Sequence, residues 1–167
     1  MVAVNQLYGA NVFSVVPMAR HIVSVMSQTP RLSDSDLVDE IASIGGRKHR
    51  SFASKFCHFY VDSKRYPIFD KYVGVTLNYH LGAEFPFHDS SAPPPYKNVL
   101  AALGTLQTQA KLADLPPRAL DRYLWLSGLH RKWSMGTKPK INAEVAALFA
   151  AADTDPQLRA DISAMCP

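Results

Sequence analysis

The sequence predicts a single all-α domain of about seven helices. Apolar residues recur at helical spacing along most of the chain, strand-like alternation is nearly absent, and glycines and prolines separate the periodic segments. A length of 167 residues suits one domain, and an apolar fraction of 47% is sufficient for a hydrophobic core. We therefore expect residues 1–167 to fold as one compact unit.

The first half of the chain carries clear helix start and stop signals. Ser33 or Asp34 is a favourable N-cap, and Gly45-Gly46 is a stop signal at the end of the same helix. Asp70 follows the extended segment around Pro67 and is placed to begin a further helix. The predicted helices are Phe13–Gln28, a helix between Ser33 and Gly46, Arg47–Tyr60 with Phe52, Phe56 and Phe59 on one face, and a helix from about Asp70 with Tyr72, Val73 and Leu77 inward.

The second half begins with a proline-rich loop, residues 82–98, which is the longest predicted connection. Pro117 lies where a helix tolerates proline, near its first position. The predicted helices are Lys97–Leu112, Pro117–Lys132, Asn142–Ala151 and a short one from Pro156. Trp125 is predicted to be a core residue of the second of these helices.

Composition excludes several classes of protein. The two cysteines, Cys57 and Cys166, form no CxxC pair and no Cys/His set with zinc spacing, so we expect free thiols, no metal and no cofactor. We find no apolar run long enough to cross a membrane and no signal peptide, which predicts a cytoplasmic protein without a membrane partner. A net charge of +4 and a pI near 9.1 favour a polyanionic partner only mildly.

The segment Gly46–Val73, GRKHRSFASKFCHFYVDSKRYPIFDKYV, concentrates the basic residues. Seven of its residues are Lys or Arg and two are acidic. A basic run of four residues directly follows Gly45-Gly46 and forms the first turn of the predicted helix Arg47–Tyr60. A helix start of this kind attracts phosphate. An ordinary αα-hairpin with a glycine C-cap and a solvated basic turn is the alternative interpretation. The run consists of Arg47, Lys48, His49 and Arg50.

Lys55 follows Phe52-Ala53-Ser54 and precedes Phe56, and it is the one cation of this segment in mainly apolar surroundings. Partial desolvation of a lysine favours the neutral amine, which is a nucleophile. The alternative is a lysine whose ammonium reaches solvent from the edge of the helix. Asp70 is a candidate N-cap, and a carboxylate there could also face Lys55 across a cleft and assist proton transfer.

Two motifs resemble a known family. The run SFASKF…HFY…YPIFDKYV resembles the helix-hairpin-helix DNA glycosylase superfamily, in particular its 8-oxoguanine DNA glycosylase-like branch, and ALDRYLWLSGLHRKW (Ala119–Trp133) is similar to a further helix of that group. The resemblance covers about a third of the chain. It implies a helix-hairpin-helix motif at about residues 34–60, a lysine nucleophile at Lys55 and an assisting aspartate at Asp70, with Lys48 as the reserve nucleophile.

The family likeness implies a function and a partner. We expect a DNA base-excision glycosylase, with or without lyase activity at the resulting abasic site, that removes an oxidised or modified purine such as 8-oxoguanine from double-stranded DNA. We expect a monomer associated with the nucleoid. The alternatives are a helix-hairpin-helix protein that binds DNA without chemistry, and a helical protein-interaction module.

The remaining expected site residues fall into two sets. The DNA-contacting set is Gly45, Gly46, Arg47, Lys48, His49, Arg50, Lys64, Arg65 and Lys71. The candidates for holding an extruded base are His58, Phe59, Tyr66, Phe69 and Trp133. Each aromatic in the second set also has a plain interpretation as a packing residue.

Overall fold

The computed structural model describes residues 15–27, 33–82, 94–136 and 141–165. These residues form one mostly helical domain with eight helices and a two-stranded hairpin, which confirms the predicted fold class in its coarse form. The elements are α1 Val15–Met26, α2 Asp34–Ala42, β1 Ser43–Ile44, β2 Arg47–Lys48, α3 Arg50–Tyr60, α4 Lys71–Leu81, α5 Tyr96–Gln109, α6 Pro117–Ser134, α7 Ala143–Ala152 and α8 Pro156–Met165. Most of the predicted proline-rich loop, residues 83–93, lies outside the described residues, as does Cys166.

Three helices begin at residues that the sequence marks as caps. Ser33 Oγ accepts from the Asp36 backbone N–H at the start of α2, and Asn142 Oδ1 accepts from that of Glu144 at the start of α7. Asp70 caps α4 in the same way. Each side chain satisfies a backbone donor that the first turn of a helix leaves without a partner.

The structure corrects the prediction around Gly45-Gly46. The predicted helix from Arg47 is wrong over its first three residues, because residues 43–48 form a two-stranded antiparallel hairpin and α3 begins at Arg50. Gly45 and Gly46 have φ values of 58° and 74°. Positive φ at both central residues is the signature of a tight two-residue hairpin turn, which glycine adopts without steric cost. The basic run therefore begins on a strand, and only Arg50 of its four residues lies within α3.

The main core is formed by α1 to α6, and a second cluster lies where α6 meets α7 and α8. Large side chains that are fully buried in the main core include Met18, Leu37, Ile41, Phe52, Leu77 and Tyr96. Leu129, Phe149, Ala152 and Ile162 form the second cluster, with Tyr72 and Trp133 at its edge. Among the described helices, none has the length and apolar character that a membrane crossing requires.

Helices α4 and α6 pack at close range. Gly128 on α6 lies against the backbone of Tyr72, where an added Cβ would be 1.9 Å from the Tyr72 carbonyl oxygen. Side-chain hydrogen bonds cross the same contact, among them one from Thr76 Oγ1 to the Leu124 carbonyl oxygen at 2.8 Å. The absence of a side chain at residue 128 therefore sets the distance between the two helices.

Two aromatic residues lie nearer the surface than the sequence predicts. Phe59 is 43% exposed near the end of α3, whereas Phe52 is fully buried and Phe56 partly buried, so the face that carries the three phenylalanines is not covered along its whole length. The prediction that Trp125 is a core residue is wrong, since its side chain is 38% exposed and packs edge-on against Tyr72. The buried face of α6 runs instead through Leu120, Leu124 and Gly128.

Candidate functional site

Lys55 and Asp70 meet in the structure. Lys55 Nζ lies 3.5 Å from Asp70 Oδ2, and the two side chains are 8% and 11% exposed. Lys55 Nζ also donates to Ser51 Oγ at 3.1 Å, one turn earlier on α3. An ammonium and a carboxylate are thus held together at the edge of the core, where little water separates them.

Asp70 serves as a helix cap and as the partner of Lys55 at the same time. Its Oδ1 accepts from the backbone N–H groups of Tyr72 and Val73, at 2.9 and 3.2 Å. Oδ2 remains for the lysine. The two interpretations that the sequence offers for Asp70 are therefore compatible in the structure, because each uses a different oxygen.

The extended segment 66–70 is fastened to α3 by side chains on either side of Lys55. Ser54 Oγ donates to the Phe69 carbonyl oxygen at 3.1 Å and accepts from the Phe69 N–H at 3.0 Å. His58 Nδ1 donates to the Tyr66 carbonyl oxygen at 2.9 Å. All three contacts are buried, so the segment that ends in Asp70 is held at a fixed distance from α3.

Removing the Ser54 hydroxyl should weaken the fold and loosen Asp70. Ser54→Ala leaves the buried Phe69 N–H without its acceptor, and we expect a loss of about 1–3 kcal/mol in the free energy of unfolding. Denaturant unfolding followed by circular dichroism measures it. Ser27→Ala is the control, since Ser27 is exposed and that change should stay within about 0.5 kcal/mol. Equal effects of the two substitutions would contradict the role assigned to Ser54.

Asp121 is a third charged group of the site. Its carboxylate accepts a hydrogen bond from the Ile68 backbone N–H and interacts electrostatically with His58, Asp70 and Lys55. Asp121 was not among the site residues expected from the sequence. A usable signal was present, because Asp121 directly follows Leu120 and lies one turn before Leu124, so a carboxylate borders the buried face of α6.

Burial raises the pKa of Asp121 above its ordinary value, and Asp70 adds to this effect, whereas His58, the Ile68 N–H and Lys55 oppose it. A folded-state pKa above the unfolded value of 3.8 means that the folded protein binds more protons in the interval between the two values. Ionisation of Asp121 therefore costs stability as the pH rises through that interval.

Asp121→Asn should remove this cost while keeping an acceptor for the Ile68 N–H. We expect the unfolding free energy of the variant, relative to that of wild type, to increase as the pH rises from 4 to 7. Denaturant unfolding at both pH values measures the difference. Asp114→Asn, at an exposed position, is the control. The assignment fails if the Asn variant loses stability relative to wild type over the same rise in pH.

The expected DNA-contacting residues divide into exposed and internally paired groups. Gly45, Gly46, Arg47 and Lys48 are exposed at the hairpin tip, where Lys48 Nζ bonds Ser43 Oγ. Arg50 is buried and forms an ion pair with Asp39. His49 is partly buried, and burial with the neighbouring Arg47 charge lowers its pKa.

The other expected DNA-contacting residues lie in the segments that flank Asp70, and all three are on the surface. Lys64 is exposed, and Arg65 is exposed but forms an ion pair with Asp34 at 3.2 Å between Nε and Oδ2. Lys71 Nζ lies 4.9 Å from the centre of the Tyr72 ring. The structure thus places exposed cations at the hairpin tip and in the segments flanking Asp70.

The expected base-holding residues differ in exposure. His58, Tyr66 and Phe69 are buried, and burial with a hydrogen bond to Asp34 raises the pKa of Tyr66 to about 12. Trp133 is partly buried, with its ring 5.8 Å from that of Phe149. Phe59 presents its ring to solvent four residues after Lys55, on the same side of α3.

Cys57 lies close to Lys55 in sequence but does not share its chemistry. Its thiol is buried, and burial raises its pKa to about 12, with a smaller contribution from Asp34. A thiol of this kind is not a thiolate nucleophile at neutral pH. Within the described part of the chain, no group of three His, Cys, Asp or Glu side chains could hold a metal ion.

Comparison with known proteins gives a relative without an assigned activity. A family model described as an N-terminal domain matches residues 1–64. The chain is also similar to an uncharacterized protein of Haemophilus influenzae, with 30% identity over 134 residues. The alignment covers 74% of this chain and 62% of that relative, so the chain spans less than two thirds of the relative's length. No solved structure matches.

Proposed function

We propose that this protein is a DNA base-excision glycosylase that uses Lys55 as its nucleophile and Asp70 as the assisting carboxylate. The observation that carries the proposal is the Lys55–Asp70 pair, 3.5 Å apart and mostly withdrawn from solvent. A lysine in such surroundings can act as an amine nucleophile, and a fixed carboxylate beside it stabilises positive charge that develops in the substrate. The proposed substrate is an oxidised or modified purine in double-stranded DNA.

The proposed reaction begins with an extruded nucleotide. The C1′–N9 bond breaks, the purine leaves with the electron pair, and Asp70 stabilises the cationic sugar that results. The Lys55 ammonium gives its proton to the departing purine, and the neutral amine then forms a bond to C1′. Opening of the sugar ring gives a Schiff base on Lys55, from which β-elimination would release the 3′ phosphate.

Exposed cations supply the phosphate contacts in this proposal. We assign phosphate contacts to Arg47 and Lys48 at the hairpin tip and to Lys64 and Lys71 beside Asp70. These contacts hold the duplex without reading its sequence. Arg50 is left out of this group because its guanidinium is paired with Asp39 in the interior.

Phe59 is the best candidate for holding the extruded base. Its ring is exposed and lies one helical turn from Lys55. A base removed from the duplex loses its stacking, and an aromatic face recovers part of that energy. Trp125 beside Tyr72 is a second exposed ring, on the α6 side of Asp70.

Borohydride trapping tests the proposal. Duplex oligonucleotides that contain 8-oxoguanine or an abasic site are incubated with the protein and sodium borohydride, which reduces a Schiff base to a stable adduct. We expect an adduct of the size of protein plus DNA with at least one of the two lesions, and none with undamaged DNA. DNA binding without any adduct, weakening steeply with salt, would favour a binding-only protein. No binding at low salt would contradict both.

A further inference from the structure

We propose that Arg131 and Ser127, on α6, form a binding site for a phosphate group beside α4. The site does not depend on the proposed function, because it lies apart from the Lys55–Asp70 pair. Tyr79, which covers Arg131, comes more than two helical turns after Asp70 on α4, about 13 Å along the helix axis.

The donor groups of this site have no acceptor in the part of the chain that the structure describes. Arg131 Nε, Arg131 Nη2 and Ser127 Oγ are all withdrawn from solvent and form no hydrogen bond there. Ser127 lies one helical turn before Arg131, and a long helical side chain points back over that turn. Buried polar groups are nearly always hydrogen-bonded in folded proteins, so three such groups on one side of α6 indicate a missing acceptor.

The two free guanidinium nitrogens have the geometry of an anion site. Nε and Nη2 of Arg131 lie on the same edge of the guanidinium, and that edge binds two oxygens of an anion through parallel hydrogen bonds. The guanidinium carbon lies over the Tyr79 ring, 3.1 Å from its centre. The ring attracts the positive charge, but it accepts no hydrogen bond from N–H groups in the guanidinium plane. Tyr79 thus holds Arg131 in place and leaves this edge for a ligand.

The charge around Arg131 is positive and lacks a carboxylate. No ion pair among the described residues includes Arg131. His80 Nε2 and the Tyr123 hydroxyl are hydrogen-bonded at 2.9 Å between α4 and α6, and burial with the Arg131 charge lowers the pKa of His80. A phosphate has a third oxygen for the Ser127 hydroxyl, whereas a carboxylate has only two oxygens, and we therefore assign a phosphate group.

A ligand reaches this site past Tyr79. About half of the Tyr79 side chain is exposed to solvent. Exposed side chains change rotamer on the picosecond to nanosecond timescale, so the covering ring can turn outward and admit an anion to the guanidinium.

Thermal unfolding without DNA tests the site. Arg131→Met keeps the apolar stem and removes the buried donors, so it should be at least as stable as wild type without phosphate. Phosphate at about 20 mM, compared with sodium chloride of equal ionic strength, should raise the wild-type Tm by about 2–4 °C and that of Arg131→Met by less than about 1 °C. Arg122→Met, at an exposed position of α6, is the control and should respond like wild type.

A purely structural role of Arg131 predicts a different pattern. Phosphate would then shift the Tm of wild type and of Arg131→Met equally, and that result would overturn the proposal. A second measurement needs no variant: in ¹⁵N-labelled wild type, the Nε–H signal of Arg131 should move with added phosphate and reach saturation. A signal that stays in place would also overturn the proposal.

The same signal tests the assignment of Ser127 and of phosphate. Ser127→Ala should weaken the phosphate affinity about 2–10-fold, because one hydrogen bond to the ligand is lost. Equal affinities would contradict the role of Ser127. Acetate should move the Arg131 signal less than phosphate at the same concentration, and an equal response would contradict the choice of phosphate over carboxylate.

Competition with DNA identifies where the phosphate group comes from. If a saturating amount of undamaged duplex DNA abolishes the response of Arg131 to phosphate, the DNA backbone occupies the site. If the response persists in the presence of DNA, the ligand is free phosphate or the phosphate of a small molecule. Both results support the site, and neither depends on whether the protein forms an adduct with damaged DNA.

Discussion

Lys55→Gln is expected to lower the rate of adduct formation with lesion-containing DNA by at least about a thousandfold, to the background of the assay. Glutamine keeps a donor for Ser51 Oγ and for Asp70 Oδ2, so the site stays hydrogen-bonded, but its amide nitrogen is not a nucleophile. Gel analysis of the borohydride-trapped product under single-turnover conditions measures the rate. Circular dichroism and thermal unfolding establish that the variant is folded.

Lys48→Gln is the matched control. Lys48 lies at the exposed hairpin tip, where its Nζ bonds only Ser43 in the described part of the chain. We expect this variant to bind DNA more weakly and with a shallower salt dependence, but to reach the wild-type trapping rate at saturating protein. Loss of the adduct in Lys48→Gln with retention in Lys55→Gln would transfer the nucleophile to Lys48.

Gly128→Ala is expected to destabilise the protein strongly. The new Cβ would lie 1.9 Å from the Tyr72 carbonyl oxygen and 2.9 Å from Thr76 Oγ1. A backbone atom cannot rotate away, so α4 and α6 must separate and lose packing along their contact. We expect a loss of at least about 2 kcal/mol in unfolding free energy, measured by denaturant unfolding.

Gly104→Ala is expected to raise the unfolding free energy instead, and it serves as the control. Gly104 lies inside α5, and no atom beyond its own stretch of helix backbone and its chain neighbours lies within 4 Å of the position that a Cβ would take. Alanine in an exposed helix interior is more favourable than glycine, so we expect a gain of about 0.5–1 kcal/mol. If both glycine substitutions changed stability alike, the close α4–α6 contact would not be the cause.

The helices could be read from the sequence because their signals are local. Ser33, Asp70 and Asn142 are capping residues by type and position. The spacing of the apolar residues predicted the helical segments between them. The hairpin at residues 43–48 was missed because Gly-Gly ends a helix and also closes a tight β-turn. Two residues per strand are too few for an alternating pattern to reveal the difference.

The site could be predicted only in part. Lys55 and Asp70 were found from the residues around them together with a family likeness, and the structure brings them to 3.5 Å. Asp121 was missed because it comes from α6, 51 positions after Asp70, and only the packing of α6 against the segment 66–70 brings it near. The exposure of Phe59 and Trp125 likewise depends on which faces of α3 and α6 the neighbouring helices cover.

Peptide mapping of the borohydride-trapped product identifies the residue that attacked the sugar. The adduct is digested with nuclease and protease, and tandem mass spectrometry locates the sugar remnant on the protein. We expect the remnant on Lys55 Nζ, within the peptide that follows Arg50. A remnant on Lys48 or on any other residue, or an unmodified protein after incubation with both lesions, would contradict it.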